Sequence, residues 1–264
     1  MGYIIMTDAD SELDYDYAAQ KGILMMLMPY THKGEERLCR PSLNFDTKSF
    51  YQDLRNGHVP TTAGRNPLDF LELWEPVLAR GEDVLYIGLS SVLSNTFDNA
   101  MLARNEALLK YPDRRIRLVD SKRISMALAL LLLYAVEKKE QGATLDETAD
   151  WVEQNRLEAR AWFTVDDLNY LRRGGRLSGS AAFFGTMLDI KPIITIDDEG
   201  RLVPVEKIKG RKKAIRYMLS KLMEEQADPA QNIVALCQAD CMDTAVAFKA
   251  RLEEQATYRQ IIIN

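Results

Sequence analysis

The chain has 264 residues, 47% of them hydrophobic and 28% charged, and its 34 basic side chains against 39 acidic ones leave a net charge of −5. That length allows one large domain or two modest ones, and the composition is that of a globular protein. It excludes a disordered tail or a collagen-like repeat, and the acidic balance argues against a general nucleic-acid binder.

Short apolar runs alternate with longer patterned segments through the first half, the signature of βαβ units around a largely parallel sheet. The expected strands are Tyr3–Met6, Ile23–Met28, Val84–Leu89 and Ile116–Val119. The expected helices are Thr47–Asn56, Pro67–Ala79 with proline at its start, Asn95–Lys110 and Ser125–Lys139. The last is apolar on nearly every face, so it should be buried on more than one side, as core or as the wall of an apolar ligand site. Thr144-Leu-Asp-Glu has capping-box spacing and opens a helix over Leu145–Asn155.

The pattern changes near residues 156–162. A strand Ala161–Thr164, a short helix Asp166–Arg172, a glycine pair and an apolar helix Ala181–Leu188 are expected next. Asp197-Asp198-Glu199-Gly200 has the composition of a reverse turn, which makes Ile190–Ile196 and Arg201–Ile208 an antiparallel hairpin. Helix 211–226, strand Asn232–Leu236, helix Thr244–Gln255 and strand Arg259–Ile263 complete the chain. The expected architecture is α/β in two domains: residues 1–158 as three α/β/α layers on a mostly parallel sheet, and 159–264 as α+β with a mixed or antiparallel sheet.

Hydroxyl and carboxylate clusters follow three of the first-half strands: Thr7-Asp8-Ala9-Asp10-Ser11, Ser90-Ser91-Val92-Leu93-Ser94-Asn95-Thr96, and Asp120-Ser121. In an open parallel sheet the carboxyl ends of the strands share one edge, where ligands bind and helix N-termini receive anions. Ser94 and Asn95 sit where they could instead cap the following helix. Gly88-Leu89-Ser90-Ser91-Val92 lacks the second glycine of a nucleophile elbow, and no histidine follows it, so a serine hydrolase is excluded. There is no phosphate-binding glycine fingerprint either. With three cysteines, Cys39, Cys237 and Cys241, and two histidines, His32 and His58, neither a disulfide framework nor a metal site is expected. A reducing, cytoplasmic setting fits that usage, and the longest apolar run, Met126 to Val136, is far below the roughly 20 residues of a membrane span. Basic residues cluster at Arg172-Arg173-Gly174-Gly175-Arg176 and again at Lys207, Lys209, Arg211, Lys212, Lys213 and Arg216. They suit one acidic partner or one anionic head group better than a nucleic acid.

The ordered set of motifs resembles the DegV family of bacterial fatty-acid-binding proteins. It comprises Thr7-Asp8, Pro60-Thr61-Thr62, Leu89 to Phe97, Val119-Asp120-Ser121, Asp167 to Ser178, Ile190-Lys191-Pro192-Ile193 and Gly210-Arg211-Lys212-Lys213-Ala214, and it spans nearly the whole chain. The resemblance implies a non-enzymatic carrier that holds a long-chain fatty acid in an apolar tunnel between two domains. It further implies that the carrier presents the carboxylate to a fatty acid kinase, which makes acyl-phosphate for phospholipid synthesis. By the same resemblance Thr62 and Ser94 hydrogen-bond the carboxylate, with Ser91, Asn95 and Thr96 beside them, and Arg173, Arg176, Lys209 and Arg211 form the basic docking surface at the opening. The only ligand implied is the fatty acid; no cofactor or metal is, and a monomer is expected. The family's Thr-Ser-Gln-Pro is here Thr62-Ala63-Gly64-Arg65, its Leu-Ser-Gly-Thr is Leu93-Ser94-Asn95-Thr96, and frequent glycines are Ala127 and Ala129. The second domain is expected to lack the family's final His-x-Gly-Pro-Gly segment. The alternative reading is a small-molecule kinase-related α/β enzyme acting on an anionic or hydroxylated metabolite.

Overall fold

The computed structural model describes residues 2–41, 47–177 and 189–264. Its contacts divide the chain into two compact units, Met1–Ala159 and Arg160–Asn264.

The first unit is built on a parallel sheet of β1 (Tyr3–Asp8), β2 (Ile23–Met26), β6 (Asp83–Gly88) and β7 (Ile116–Asp120), in the order β2-β1-β6-β7. Side chains alternate across its two faces. Met6, Val84 and Tyr86 lie on one face in a core with Phe70, Trp74 and Val77 of α3 (Pro67–Ala79) and Ala100, Ala103 and Ala107 of α4 (Thr96–Lys110). The three alanines recur at helical spacing and let α4 approach closely. Tyr3 points the other way, its hydroxyl donating to Ala143 O at 3.2 Å and lying 2.8 Å from Thr148 Oγ1 of α6 (Leu145–Asn155). There α6 packs with α5 (Met126–Glu140), which also contacts β1. Both faces are covered, which is why every residue of β6 is buried and its sequence shows no polar alternation.

Sequence signals fixed several helix starts. Thr144 accepts from Glu147 N–H while Glu147 accepts from Thr144 N–H, the expected capping box. Asn66 and Asp69 form a second one ahead of Pro67. Helix α5 is buried through Met126–Ala129, Leu131–Leu133 and Ala135–Val136, as its continuous apolar pattern requires.

The run Ile23–Met28 is not one strand. It breaks at Leu27, and Met28 begins β3 (Met28–His32), which pairs antiparallel with β4 (Glu35–Cys39) and β5 (Thr61–Thr62). The β3–β4 hairpin turns at Lys33 and Gly34, both at positive φ, 52° and 80°. All of β4 is exposed, so no alternating pattern announces it. Helices α1 (Tyr15–Gln20) and α2 (Thr47–Arg55) flank this region.

The second unit carries the antiparallel sheet β10-β9-β8, from β8 (Trp162–Phe163), β9 (Ile190–Ile196) and β10 (Leu202–Lys209). The acidic turn closes the β9–β10 hairpin as expected, with Arg201 N–H donating to Asp197 Oδ1 at 2.8 Å and Gly200 at φ 91°. Helix α7 spans Asn169–Gly174 rather than 166–172. Helix α8 (Arg211–Glu225) packs on all three strands. A separate parallel pair, β11 (Ile233–Leu236) and β12 (Gln260–Ile263), is connected by α9 (Met242–Gln255) and closes a small core of Leu219, Val234 and Leu252. The expected helix 181–188 lies outside the described residues. None of the described helices is long and apolar enough to cross a membrane.

Candidate functional site

In the order β2-β1-β6-β7 the chain runs from β1 to β2 on one side and then returns to β6 on the other, so the topological switch lies between β1 and β6. The crevice at the carboxyl ends of these strands is where doubly wound sheets bind ligands. Asp8 ends β1 and spans the switch: its Oδ2 accepts the Leu89 N–H and the Tyr86 hydroxyl, each at 2.9 Å. Burial pushes the Asp8 carboxyl up to about 6, with the Leu89 N–H, the Tyr86 hydroxyl and the Asp10 N–H pulling the other way. Burial and the Asp8 charge hold Tyr86 well above the ordinary phenol range. Asp8 Oδ1, Ser11 Oγ and Ser90 Oγ are buried at this edge with no hydrogen-bond partner among the described residues.

The loop from Leu89 to Thr96 carries the sequence-predicted hydroxyls, and the structure separates their roles. Ser91 Oγ donates to Asp120 Oδ2 at 2.6 Å and its N–H to Oδ1 at 3.2 Å, so its proton is committed to the end of β7. Asp120 Oδ1 also accepts the Lys122 N–H at 2.9 Å. Ser94 Oγ accepts the Thr96 N–H at 3.2 Å and lies 2.9 Å from Thr96 Oγ1. Ser94 therefore supplies the side-chain cap of α4, while the Asn95 side chain makes no capping bond and is exposed. Thr96 is fully buried and Ser94 half-buried.

Thr62 is exposed on β5, opposite Tyr30 of β3. The segment that follows it leans on the hydroxyl pair. A Cβ on Gly64 would stand 3.1 Å from Thr96 Oγ1 and 3.4 Å from Ser94 Oγ, and Arg65 N–H donates to Thr96 Oγ1 at 3.3 Å. The structure thus brings Ser94, Thr96 and the 62–65 segment to one place, with Ser91 and Asp120 paired beside them. Asp8, Gly64 and Arg65 stand out in the sequence, but their pairings with Tyr86 and Thr96 do not, because each of these contacts spans more than thirty residues.

The four basic residues expected at a docking surface lie in the second unit. Arg173 is exposed at the end of α7, its guanidinium 5.8 Å from the Tyr170 ring centroid. Arg176 is exposed and donates to Gly174 O. Of the glycine pair only Gly175 has positive φ, 71°, as the C-cap of α7. Lys209 is exposed at the end of β10, and Arg211 opens α8 with its guanidinium 3.0 Å from Asp166. Lys191 shares that carboxylate at 2.9 Å, and the two cations hold it below the usual range against a modest burial cost.

His58 is exposed, as expected of a turn histidine, and lies edge-on to buried His32 with ring centroids 6.2 Å apart. His32 Nε2 pairs with Asp53 at 3.0 Å, and Lys33 Nζ reaches the same carboxylate at 2.6 Å. No group of three potential metal ligands occurs among the described residues.

A family model described as an uncharacterised protein of the DegV family matches residues 3–264. A DegV domain-containing protein of Clostridium perfringens is 32% identical over 262 residues, covering 99% of this chain and 90% of that relative. Among solved structures, a fatty-acid-binding DegV family protein from Thermus thermophilus superposes with a TM-score of 0.89 at 26% identity, over 100% of this chain and 92% of the other. DegV from Bacillus subtilis, described as a fatty acid binding protein, gives 0.84 at 29% identity, over 100% and 91%.

Proposed function

Because the chain belongs to the DegV family, we propose that it is a fatty-acid carrier that binds a long-chain fatty acid and catalyses no reaction itself. In this reading it presents the carboxylate to a fatty acid kinase. A carboxylate oxygen attacks the γ-phosphorus of ATP, ADP leaves, and the acyl-phosphate feeds phospholipid synthesis. The carrier works in the cytoplasm as a monomer with no cofactor, and its partners are the fatty acid and the kinase's catalytic subunit.

The observation that carries the reading is the Ser94–Thr96 hydroxyl pair at the N-terminus of α4, beside the segment that carries Thr62. Hydroxyl donors at the N-terminus of a 15-residue helix suit an anionic head group. The solved relatives described as binding fatty acids make a carboxylate the fitting anion. Energetics divide the labour. An alkyl chain of about fifteen carbons has a gross transfer energy of about 12 kcal/mol at about 0.8 kcal/mol per CH₂, whereas a hydrogen bond to a charged head contributes about 1.5–3 kcal/mol. The tail sets affinity and the head sets orientation. Ser91, with its proton on Asp120, supports the loop; Arg173, Arg176, Lys209 and Arg211 supply the basic surface for the kinase.

The test is acyl-phosphate formation by the kinase and ATP with loaded wild-type protein and Ser94→Ala. Loss of one charge-assisted bond corresponds to roughly a tenfold or greater fall in acyl-phosphate formation. The variant should still retain its fatty acid. Unchanged acyl-phosphate formation would overturn the assignment of Ser94.

A further inference from the structure

Ser94 Oγ and Thr96 Oγ1 share one hydrogen bond, and which of them donates decides which proton is left for a ligand. Thr96 is fully buried. If Ser94 donated, the Thr96 proton would be left inside the protein with no acceptor among the described residues, a costly arrangement. If Thr96 donates, every polar atom of Thr96 is used and the Ser94 proton faces the half-exposed side. In the second order the lone pairs of Thr96 Oγ1 stay open to a donor, and the backbone N–H of Arg65 fills one of them at 3.3 Å. Donation then runs in one direction, from Arg65 N–H to Thr96 and from Thr96 to Ser94, and each bond polarises the next.

The Arg65 backbone is held in place by bonds to three separate elements. Its Nε donates to Leu27 O at 2.7 Å, at the break between β2 and β3. Its guanidinium pairs with Asp69 of α3 at 3.0 Å, and its carbonyl accepts from Asn99 Nδ2 of α4 at 2.7 Å. Both members of the Arg65–Asp69 pair are largely buried, at 17% and 24% exposure, so this anchor is fixed rather than a fluctuating surface contact. Gly64 completes the arrangement, since a Cβ there would press on Thr96 Oγ1.

We propose that Arg65 is a positioning residue for the head-group site: through Thr96 it fixes Ser94 as the hydrogen-bond donor to a bound carboxylate. The inference rests on the fatty-acid reading above, and the test separates the two.

The probe is oleate labelled with ¹³C at the carboxyl carbon, bound to the full chain, with its chemical shift followed against pH. A donated bond favours the ionised carboxyl and lowers its apparent pKa. Arg65→Ala should raise the bound carboxyl's pKa by about half to one unit, while exchange against unlabelled oleate changes less than about threefold. Thr96→Val should do the same, and Arg65→Lys, which can still reach Asp69, should restore most of the wild-type value. In the Thr96→Val background Arg65→Ala should add nothing, a non-additivity that general loosening of the fold does not produce. If Arg65→Ala does not fold, Gly64→Ala perturbs the same oxygen from the other side and should raise the pKa likewise. A wild-type pKa in Arg65→Ala, or effects of Arg65→Ala and Thr96→Val that add in full, overturns the positioning role. If Ser94→Ala also leaves the titration unchanged, the inference falls with the assignment of Ser94; if wild-type protein gives no bound signal, the fatty-acid reading itself falls.

Discussion

Asp8 is the charged group on which the site's scaffold can be tested most sharply. It is fully buried at the junction of β1 and β6, and its carboxyl is raised from 3.8 to about 6. The folded protein therefore holds this proton more tightly than the unfolded chain. The resulting stabilisation is fully present below about pH 4, is lost as pH rises through 6, and is absent at pH 7. A rise of about two pH units corresponds to about 3 kcal/mol. Asp8→Asn removes the titration: the amide oxygen can still accept from Leu89 N–H and the Tyr86 hydroxyl, and no charge is buried. Urea unfolding of both proteins from pH 4 to 7.5 gives the variant's stability minus the wild type's. That difference should be smallest near pH 4 and grow by about 3 kcal/mol up to pH 7. Using the difference cancels the carboxylates shifted the other way, such as Asp53 and Asp166, whose stabilisation is lost as pH falls. A difference that stays flat across the range, or shrinks toward pH 7, would refute the placement of an ionisable, buried Asp8 at the switch.

Two further substitutions probe the framework around it. Arg123 is 2% exposed and its guanidinium donates to Ala159 O at 2.8 Å, Lys122 O at 2.8 Å and Leu157 O at 3.0 Å. Arg123→Met fills similar space without donors, and should cost about 3 kcal/mol or more in denaturant unfolding; a loss under about 1 kcal/mol would contradict the staple. A Cβ on Gly88 would fall 2.6 to 2.7 Å from Tyr86 ring atoms, so Gly88→Ala must displace the ring that holds Asp8. The expected cost is about 1–3 kcal/mol, together with a stronger pH dependence of the Asp8→Asn difference when measured in that background, because without the Tyr86 hydroxyl burial raises the Asp8 carboxyl further.

The parts of the fold that sequence patterning revealed are those set by local chemistry. Thr144 and Glu147 read directly as a capping box, Pro67 marks a helix start, and the Asp197–Gly200 turn fixes a hairpin. The β3–β4–β5 sheet was hidden because Lys33-Gly34 is a weak turn signal, β4 is exposed throughout and β5 has two residues. At the site, the edge rule located the hydroxyl clusters, but not which hydroxyl has a free proton. Ser91 and Ser94 look alike in sequence; only Asp120, 29 residues on from Ser91, tells them apart. Likewise Arg65 stands out in the sequence only as a replacement beside Thr62, and its bonds to Leu27 and Asp69 come from the fold.

The most direct test of the account is native mass spectrometry of the protein purified from bacteria, followed by extraction of whatever is bound. The account predicts one mass increment per chain that matches a long-chain fatty acid and is recovered as free acid in the extract. Protein that stays empty after purification, and again after incubation with excess oleate, would contradict it.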